Sequence, residues 1–447
     1  ITDIDGKFEL EAEAGEVMHI SYIGYAAQDI TVTAEITTYD LVLQEEMSQL
    51  DEVVIVGYGA QKKETLTGSL STVSSDELVE QPVGNLTQAL AGRLPGLIAN
   101  QSGGRPGKDA SNIKIRGIGT LDAGAGSNPL IIIDGVERDQ SALQFLDPNE
   151  VENLSILKDA SSTAVFGVRG ANGVILVTTK RGSEGPAKMS YKTSIAALVP
   201  DRSINVLNSH QQTGLLNEYQ GYEMNSTDPT APYPKEIREK FRGVIDGTST
   251  DPNDKFFYPS TDYLDVMLRD YAVQQQHNFT VSGGTDNLRY FSSLGYFDQG
   301  GMFENINPAL NKSTSYERYN YRTNIDIDLT KSTTAKINIG GSFNESTSLG
   351  QNGTEPSRSF YWNLMRHSSP WEAYLHEDKL VMLQENANSV LLNSDMRGFN
   401  RELENSSDYA FVINQNLDAI IKGLSAKGTA SLVTYTSNVI RREKDER

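Results

Sequence analysis

The sequence predicts a mainly β protein: a small N-terminal β unit, an α/β unit, and a long antiparallel sheet filling the second half. Three observations carry this. Apolar and polar residues alternate with period two through much of residues 186–447. Helix-start and glycine-stop signals cluster between residues 65 and 185. The longest purely apolar runs are short, such as Leu130 to Ile133, far below the ~18–20 residues that a membrane helix needs.

Residues 1–46 hold the segments GKFEL, EVMHISYIGY, QDITVT and YDLVL, punctuated by Gly6, Gly15 and Gly24. Their β-branched and aromatic content reads as short strands of a half-buried sandwich. A polar linker, QEEMSQLDE, follows, and residues 47–64 run through VVIVGYGAQKKET into the next unit.

Residues 65–185 alternate helical and extended signals. A helix is predicted around Leu86 to Leu90, ended by Gly92 and Pro95. Strands are predicted at Ile113 to Arg116 and Leu130 to Asp134, and from Gly173 to Thr179. Asp147-Pro148-Asn149-Glu150 reads as a helix start, with a cap acceptor, proline at the first helical position and Glu three residues on. A second start falls at Asp159, with Gly167 as its stop.

After Pro186 the pattern becomes strand-like. In RYNYRTNIDIDL, Tyr319, Tyr321, Thr323, Ile325, Ile327 and Leu329 share one face. Arg318, Asn320, Arg322, Asn324, Asp326 and Asp328 share the other. The same alternation recurs at Ala335 to Phe343, at His277 to Val281, and from Tyr409 to Leu432, giving about seven antiparallel strands. Both a soluble sheet and a membrane barrel alternate in this way. The polar face here is rich in Asn, Ser, Thr and Gly beside its charges, and long polar stretches at 200–270 and 348–407 alternate with tight turns at 283–287 and 330–333. Both features favour the barrel.

Composition narrows the function. The net charge is −20, from 39 basic and 59 acidic residues, which repels polyphosphate and argues against nucleic acid as a partner. The chain has no cysteine, so thiolate chemistry is excluded. His19, His210, His277, His367 and His376 are scattered, and no HExxH pair suggests a metal. GYG at 57–59 and GIG at 117–119 lack the full GxGxxG pattern and its setting. No nucleophile arrangement stands out, so no catalytic residue, cofactor or metal is expected. A carbohydrate-active β-rich enzyme would need a paired carboxylate site, and none is identifiable.

Several long motifs occur in order: LDEVVIVGYGAQKKETLTGS, ALAGRLPGLIANQSGGRPG, NIKIRGIGTL, NPLIIIDGVE and DPNEVENLSILKDASSTAVFGVRGANGVILVTTKRG. They resemble the opening segment and plug domain of the SusC/RagA family of TonB-dependent outer-membrane transporters. QHNFTVSGGTDNLRYFSSLGYFDQGGMF and ERYNYRTNIDIDL resemble that family's early barrel strands. The resemblance implies a partial carboxypeptidase-regulatory-like domain at 1–46, a linker with the Ton box region at 47–64, a plug at 65–185 and the N-terminal part of a transmembrane barrel at 186–447. A complete barrel of this type has about 22 strands, so the sequence is expected to be a piece of a longer protein.

The resemblance also implies function: energised import of an oligosaccharide or peptide across the outer membrane. The partners would be TonB with ExbB and ExbD, a SusD-like surface lipoprotein, and outer-membrane lipid. A receptor or adhesin that binds without transport is the alternative. Asp51, Glu52, Val53, Val54, Ile55 and Val56 form the expected Ton box, although an ordinary edge strand reads the same way. Arg116, with Lys158 where the family's second arginine stands, is expected to lock plug to barrel through glutamates on barrel strands that this sequence does not include. Arg105, Lys108, Asp122 and Arg138, in glycine-rich or polar loops, are expected to touch cargo. In the polar stretches, Tyr219, Tyr222, Tyr233, Tyr361, Trp362 and Trp371 are expected at a partner interface.

Overall fold

The computed structural model describes residues 16–22, 25–33, 41, 53–56, 59–62, 70–80, 83–101, 103–117, 127–202, 205–304, 314–349, 373–376, 379–382 and 399–442. Two compact units divide at Thr67. In the first, β1 (Val17–Tyr22) pairs antiparallel with β2 (Tyr25–Thr31). β3 (Val53–Val56) pairs antiparallel with β4 (Gly59–Lys62).

The second unit begins with an α/β body. Its strands are β5 (Leu70–Ser74), β6 (Leu97–Gln101), β7 (Ser111–Ile115), β8 (Leu130–Ile133), β9 (Val136–Arg138), β10 (Val151–Leu157) and β11 (Val174–Thr179). Five of them form one sheet in the order β5-β10-β11-β8-β9, and β6 pairs with β7. Short helices α1 (Ser75–Leu78), α2 (Leu86–Ala89), α3 (Ala142–Phe145) and α4 (Ala160–Thr163) connect them. One core of Leu78, Leu86, Leu90, Ile113, Leu154 and Ile175, with other aliphatic residues, joins sheet and helices, and a smaller cluster gathers Ile132, Leu157, Val174 and Leu176.

Local chemistry sets these elements. Asn85 caps α2 by accepting from the Gln88 amide. Asp134 and Gly135 both take positive φ, 51° and 81°, which gives the β8–β9 hairpin the turn geometry that matches strand twist. The Asp134 carboxylate then accepts from the Thr179 amide at 3.0 Å and its hydroxyl at 2.6 Å, tying that turn to the end of β11.

The helix expected from Asp147 is one 3-10 turn, Pro148–Glu150, before the chain enters β10. Asp147 does cap, accepting from the Asn149 amide at 2.8 Å. Glu150 does not complete a capping box, because its carboxylate is held elsewhere, as described below.

The rest of the unit is a seven-stranded sheet. Its members are β12 (Gly185–Leu198), β13 (Ala272–Thr285), β14 (Leu288–Gly300), β15 (Ser315–Thr330), β16 (Thr333–Leu349), β19 (Phe399–Asn416) and β20 (Ser425–Arg442). Neighbours are antiparallel throughout. The hairpin of β17 (Ala373–His376) and β18 (Lys379–Met382) lies in the β16–β19 connection. Tight turns close one end of the sheet and long connections the other, as the sequence suggested.

One long connection is not a loop. Between β12 and β13 lie α5 (Ser209–Tyr219), α6 (Lys235–Ile245), α7 (Asp254–Phe257) and α8 (Tyr263–Met267). The buried face of α5 is polar, made of Ser209, Thr213 and Asn217, so no apolar period marks it. Arg238, 1% exposed, donates to the carbonyls of Met224 at 2.6 Å and His210 at 2.7 Å and holds α5 against α6.

Candidate functional site

The sheet is inside out relative to a soluble one. On β15 the polar residues are the buried ones: Arg318 is 0% exposed and Asn324 1%. Tyr319 and Leu329, on the opposite face, are 47% and 56% exposed. In water that arrangement is unfavourable on both faces. Against lipid outside and a polar body inside, both faces are satisfied. Rows of aromatic and aliphatic side chains run across the outer face by register, such as His277, Tyr296, Tyr319 and Phe343.

The inner polar body is the α/β domain. Arg318 donates to the carbonyl oxygens of Gly84 at 2.5 Å and Gln144 at 3.4 Å, and lies 3.6 Å from Asp147. Asn320 donates to the Phe145 carbonyl at 2.7 Å. Arg322 pairs through Nε with Glu150 Oε2 at 2.7 Å. Asn324 donates to the Thr179 hydroxyl and the Lys180 carbonyl, each at 2.7 Å. Asp326 accepts from Arg181 at 2.5 Å. Five successive inward positions of one strand therefore hold the domain. Alternation supplies the spacing, since every second residue faces inward.

Electrostatics within the domain follow from that burial. Desolvation pushes the Glu150 carboxyl up to about 7 against the pull of Arg322, and the nearby Asp147 charge adds to the rise. Burial likewise raises Asp109 and lowers Lys180 and Arg138 from their ordinary values. Ordered hydrogen bonds to every inward residue of β15 offset the cost of burying so many polar groups.

The residues expected from sequence are placed as follows. Arg116 pairs with Asp159 at 2.7 Å and donates to the Lys158 carbonyl at 3.2 Å. Lys158 donates to the Ser71 hydroxyl at 2.6 Å and the Pro95 carbonyl at 2.8 Å. Both side chains are therefore engaged inside the α/β domain. Among the described residues, the ion pairs that cross to the sheet come from Asp147, Glu150, Arg181, Glu184, Lys108 and Arg138.

Lys108 lies 3.1 Å from Glu402 and 3.4 Å from Glu404 of β19, and burial lowers Arg105 beside Glu402. Arg138 lies 3.8 Å from Asp408 with its side chain 7% exposed; it faces the sheet, not an open loop surface. Asp122, Asp51, Glu52, Tyr361, Trp362 and Trp371 lie outside the described residues. Val53 to Val56 form β3, described by its backbone pairing alone. Tyr219, on α5, is 87% exposed.

The sequence places Arg318 and Arg322 on a polar strand face and Asp147 and Glu150 at a helix start, but not together as anchors. A signal existed. Two arginines four apart on a strand's polar face, and a preceding DPNE run with two carboxylates, are complementary in charge.

An α/β domain fastened to the polar face of an antiparallel sheet whose other face is apolar defines a plugged membrane barrel wall. Comparison with known proteins gives that class its name. Residues 62–174 match the TonB-dependent Receptor Plug Domain. The chain is 36% identical over 356 residues to TonB-dependent receptor P26 of Formosa agariphila, covering 79% of this chain and 32% of that protein. It is 30% identical over 376 residues to TonB-dependent receptor SusC of Bacteroides thetaiotaomicron, covering 81% and 34%. The RagAB peptide importer in its open-open state aligns with a TM-score of 0.63 at 23% identity, covering 87% of this chain and 43% of that one, and supports the fold.

The chain belongs to the SusC/RagA family of TonB-dependent transporters. It spans about a third of the length of the curated relatives it matches. No described helix is long and apolar enough to cross a membrane, which says nothing of crossing by strands.

Proposed function

We propose that this chain supplies the plug and part of the wall of an outer-membrane importer for an oligosaccharide or peptide, with the plug as its gate. The observation that carries the reading is the β15 face: five consecutive inward residues, Arg318 to Asp326, bond to the α/β domain. These bonds are polar, and polar contacts can be broken and remade without exposing an apolar core.

The proposed energy source is TonB with ExbB and ExbD, gripping the segment Asp51 to Val56. β3 lies within it and pairs on one edge with β4, so strand addition would use its other edge or replace β4. The long-connection end of the sheet would face outward. There the helical connection α5–α8, with Tyr219 exposed, would help to carry a SusD-like lipoprotein. On this reading residues 1–46 are a carboxypeptidase-regulatory-like domain facing the periplasm with the plug. Arg105 and Lys108 stand on a plug loop where Lys108 meets Glu402, close to the long-connection end of β19, and are the proposed cargo contacts.

The test uses a reversible staple. These 447 residues hold no native cysteine, so in a full-length protein freed of any cysteine elsewhere Thr179→Cys with Asn324→Cys adds one pair at a contact of 2.7 Å between the native side chains. In the full-length protein the oxidised staple is expected to stop uptake of the cognate nutrient, and a reductant to restore it. Uptake at the full rate with the staple shut would overturn the gate.

A further inference from the structure

The charges on β15 share a feature that holding a plug does not require. Asp326 offers Oδ1 to Arg181 of the plug's exit segment at 2.5 Å, and Oδ2 to Lys336 at 3.7 Å. Lys336 lies directly across on β16. Arg322 offers Nε to Glu150 of the plug and turns Nη2 toward Asp408, two strands away on β19, at 3.8 Å.

Position 340 lies between Arg322 and Asp408 in the register. It is glycine, and a Cβ there would fall 2.7 Å from the Arg322 Nη2. Arg318 repeats the pattern: its plug partners are the Gly84 carbonyl and Asp147, while its Nε donates to Asn320 of the same strand at 2.6 Å. Each charged group thus has at least one partner that would leave with the plug and one that would stay with the wall.

A buried charge stranded without a partner is strongly unfavourable. A wall that lost its plug partners would strand three, at intervals of four residues along one strand. We propose that the wall-side groups are receivers: as the plug withdraws, Asp326 closes onto Lys336 and Arg322 closes across Gly340 onto Asp408. Asp326 and Arg322 then stay compensated as the plug departs and returns, while Arg318 keeps its hydrogen bond to Asn320. This rests on the reading of the plug as a gate.

Lys336 gives the cleaner test, because Asp408 also faces Arg138 of the plug. With the plug in place, Lys336 and Arg181 share Asp326 and repel each other. The plug also brings Asp134 near Lys336, an attraction weaker than the Arg181 repulsion, while Lys427 of the wall repels it in either state. With the plug gone, the Arg181 repulsion is lost and the attraction between Lys336 and Asp326 remains. Removing Lys336 therefore disfavours the open state more than the closed one. A support that merely shapes the wall would give the opposite sign, because its loss loosens the closed state.

The experiment places the full-length transporter in planar lipid bilayers and follows the rate at which urea opens a conducting pore. Lys336→Gln is expected to slow opening roughly threefold to tenfold, the scale of one partly screened like-charge contact. Arg181→Gln is expected to speed it. Should Lys336→Gln fail to assemble, Lys336→Arg supplies the second arm. A forked donor competes better for Asp326, so opening is expected to be faster than in the parent. Opening unchanged or faster in Lys336→Gln, or slower in Lys336→Arg, overturns the receivers while Arg181→Gln still reports on the gate. If urea opens no pore in any of these proteins but a plug-deleted form conducts, the gate reading itself fails and the receivers fall with it.

Discussion

Arg322 of β15 and Glu150 of the plug approach to 2.7 Å with each side chain only 4% exposed. The pair joins the end of the DPNE turn to the middle of a membrane-facing strand. It explains why that turn stops after three residues: the Glu150 side chain is held by the wall, and β10 begins at the next residue, Val151.

Replacing Arg322 by Met should leave Glu150 buried without its cation. The expected cost to the closed arrangement is roughly 3–5 kcal/mol, the usual penalty for breaking one side of a buried pair. Glu150→Gln should cost less, because Arg322 retains Asp408. The double change should recover part of the loss. Entry of a large antibiotic into cells carrying each full-length variant checks the order, which should run Arg322→Met, then the double variant, then Glu150→Gln.

Ile325 and Asn324 are adjacent and should fail differently. Ile325 sits on the outer face in register with Tyr290 and Ile337, so Ile325→Arg should cost about 2–4 kcal/mol near the membrane midplane and reduce barrel assembly. Alternation alone puts Asn324 on the polar side of the strand. There Asn324 is 1% exposed against Thr179 and Lys180, so the larger cation of Asn324→Arg should dislodge the plug while the barrel still forms. Heat-dependent gel mobility reports assembly, and antibiotic entry reports the plug. Loss of assembly in both variants would contradict this division of faces.

Gly182, where the chain passes from plug to wall, has no room for a side chain. An added Cβ would overlap the backbone of Tyr290, and backbone cannot step aside as a side chain can. Gly182→Ala should therefore destabilise by about 1–3 kcal/mol or more, read as a lower urea midpoint for plug release. Gly104, where nothing lies within 4 Å, should accept Ala without a measurable shift.

Deleting Asp51 to Val56 should abolish energised uptake and leave cargo binding intact. The segment contains β3, whose backbone is the feature a partner strand would pair with. Uptake assays and ligand-binding isotherms on the same full-length variant separate the two effects. Undiminished uptake would remove this segment from the coupling path.

Much of the architecture could be read from residue order because period-two alternation is a local property. The two faces of β15 are assigned correctly from RYNYRTNIDIDL alone. The meaning of its polar face was not local. Whether Asn320 and Asn324 meet water or Phe145 and Thr179 depends on a domain more than 140 residues away in the chain. The same limit misplaced Arg138, which reads as a loop residue yet pairs with Asp408. It also hid α5, whose buried Ser, Thr and Asn leave no apolar stripe to detect.

The five contacts from Arg318 to Asp326 also bear on how such proteins can be recombined. A plug taken from a relative would arrive with different groups opposite these positions, and the old wall would meet it with two arginines and an aspartate at fixed heights. Residues 315–330 and the DPNE turn are therefore expected to be inherited together, although some 165 residues separate them in the sequence. The natural joint for building chimeras lies not where the plug ends but after β19, whose Glu402, Glu404 and Asp408 also meet Lys108 and Arg138 of the plug, so that lock and key change hands as one cassette.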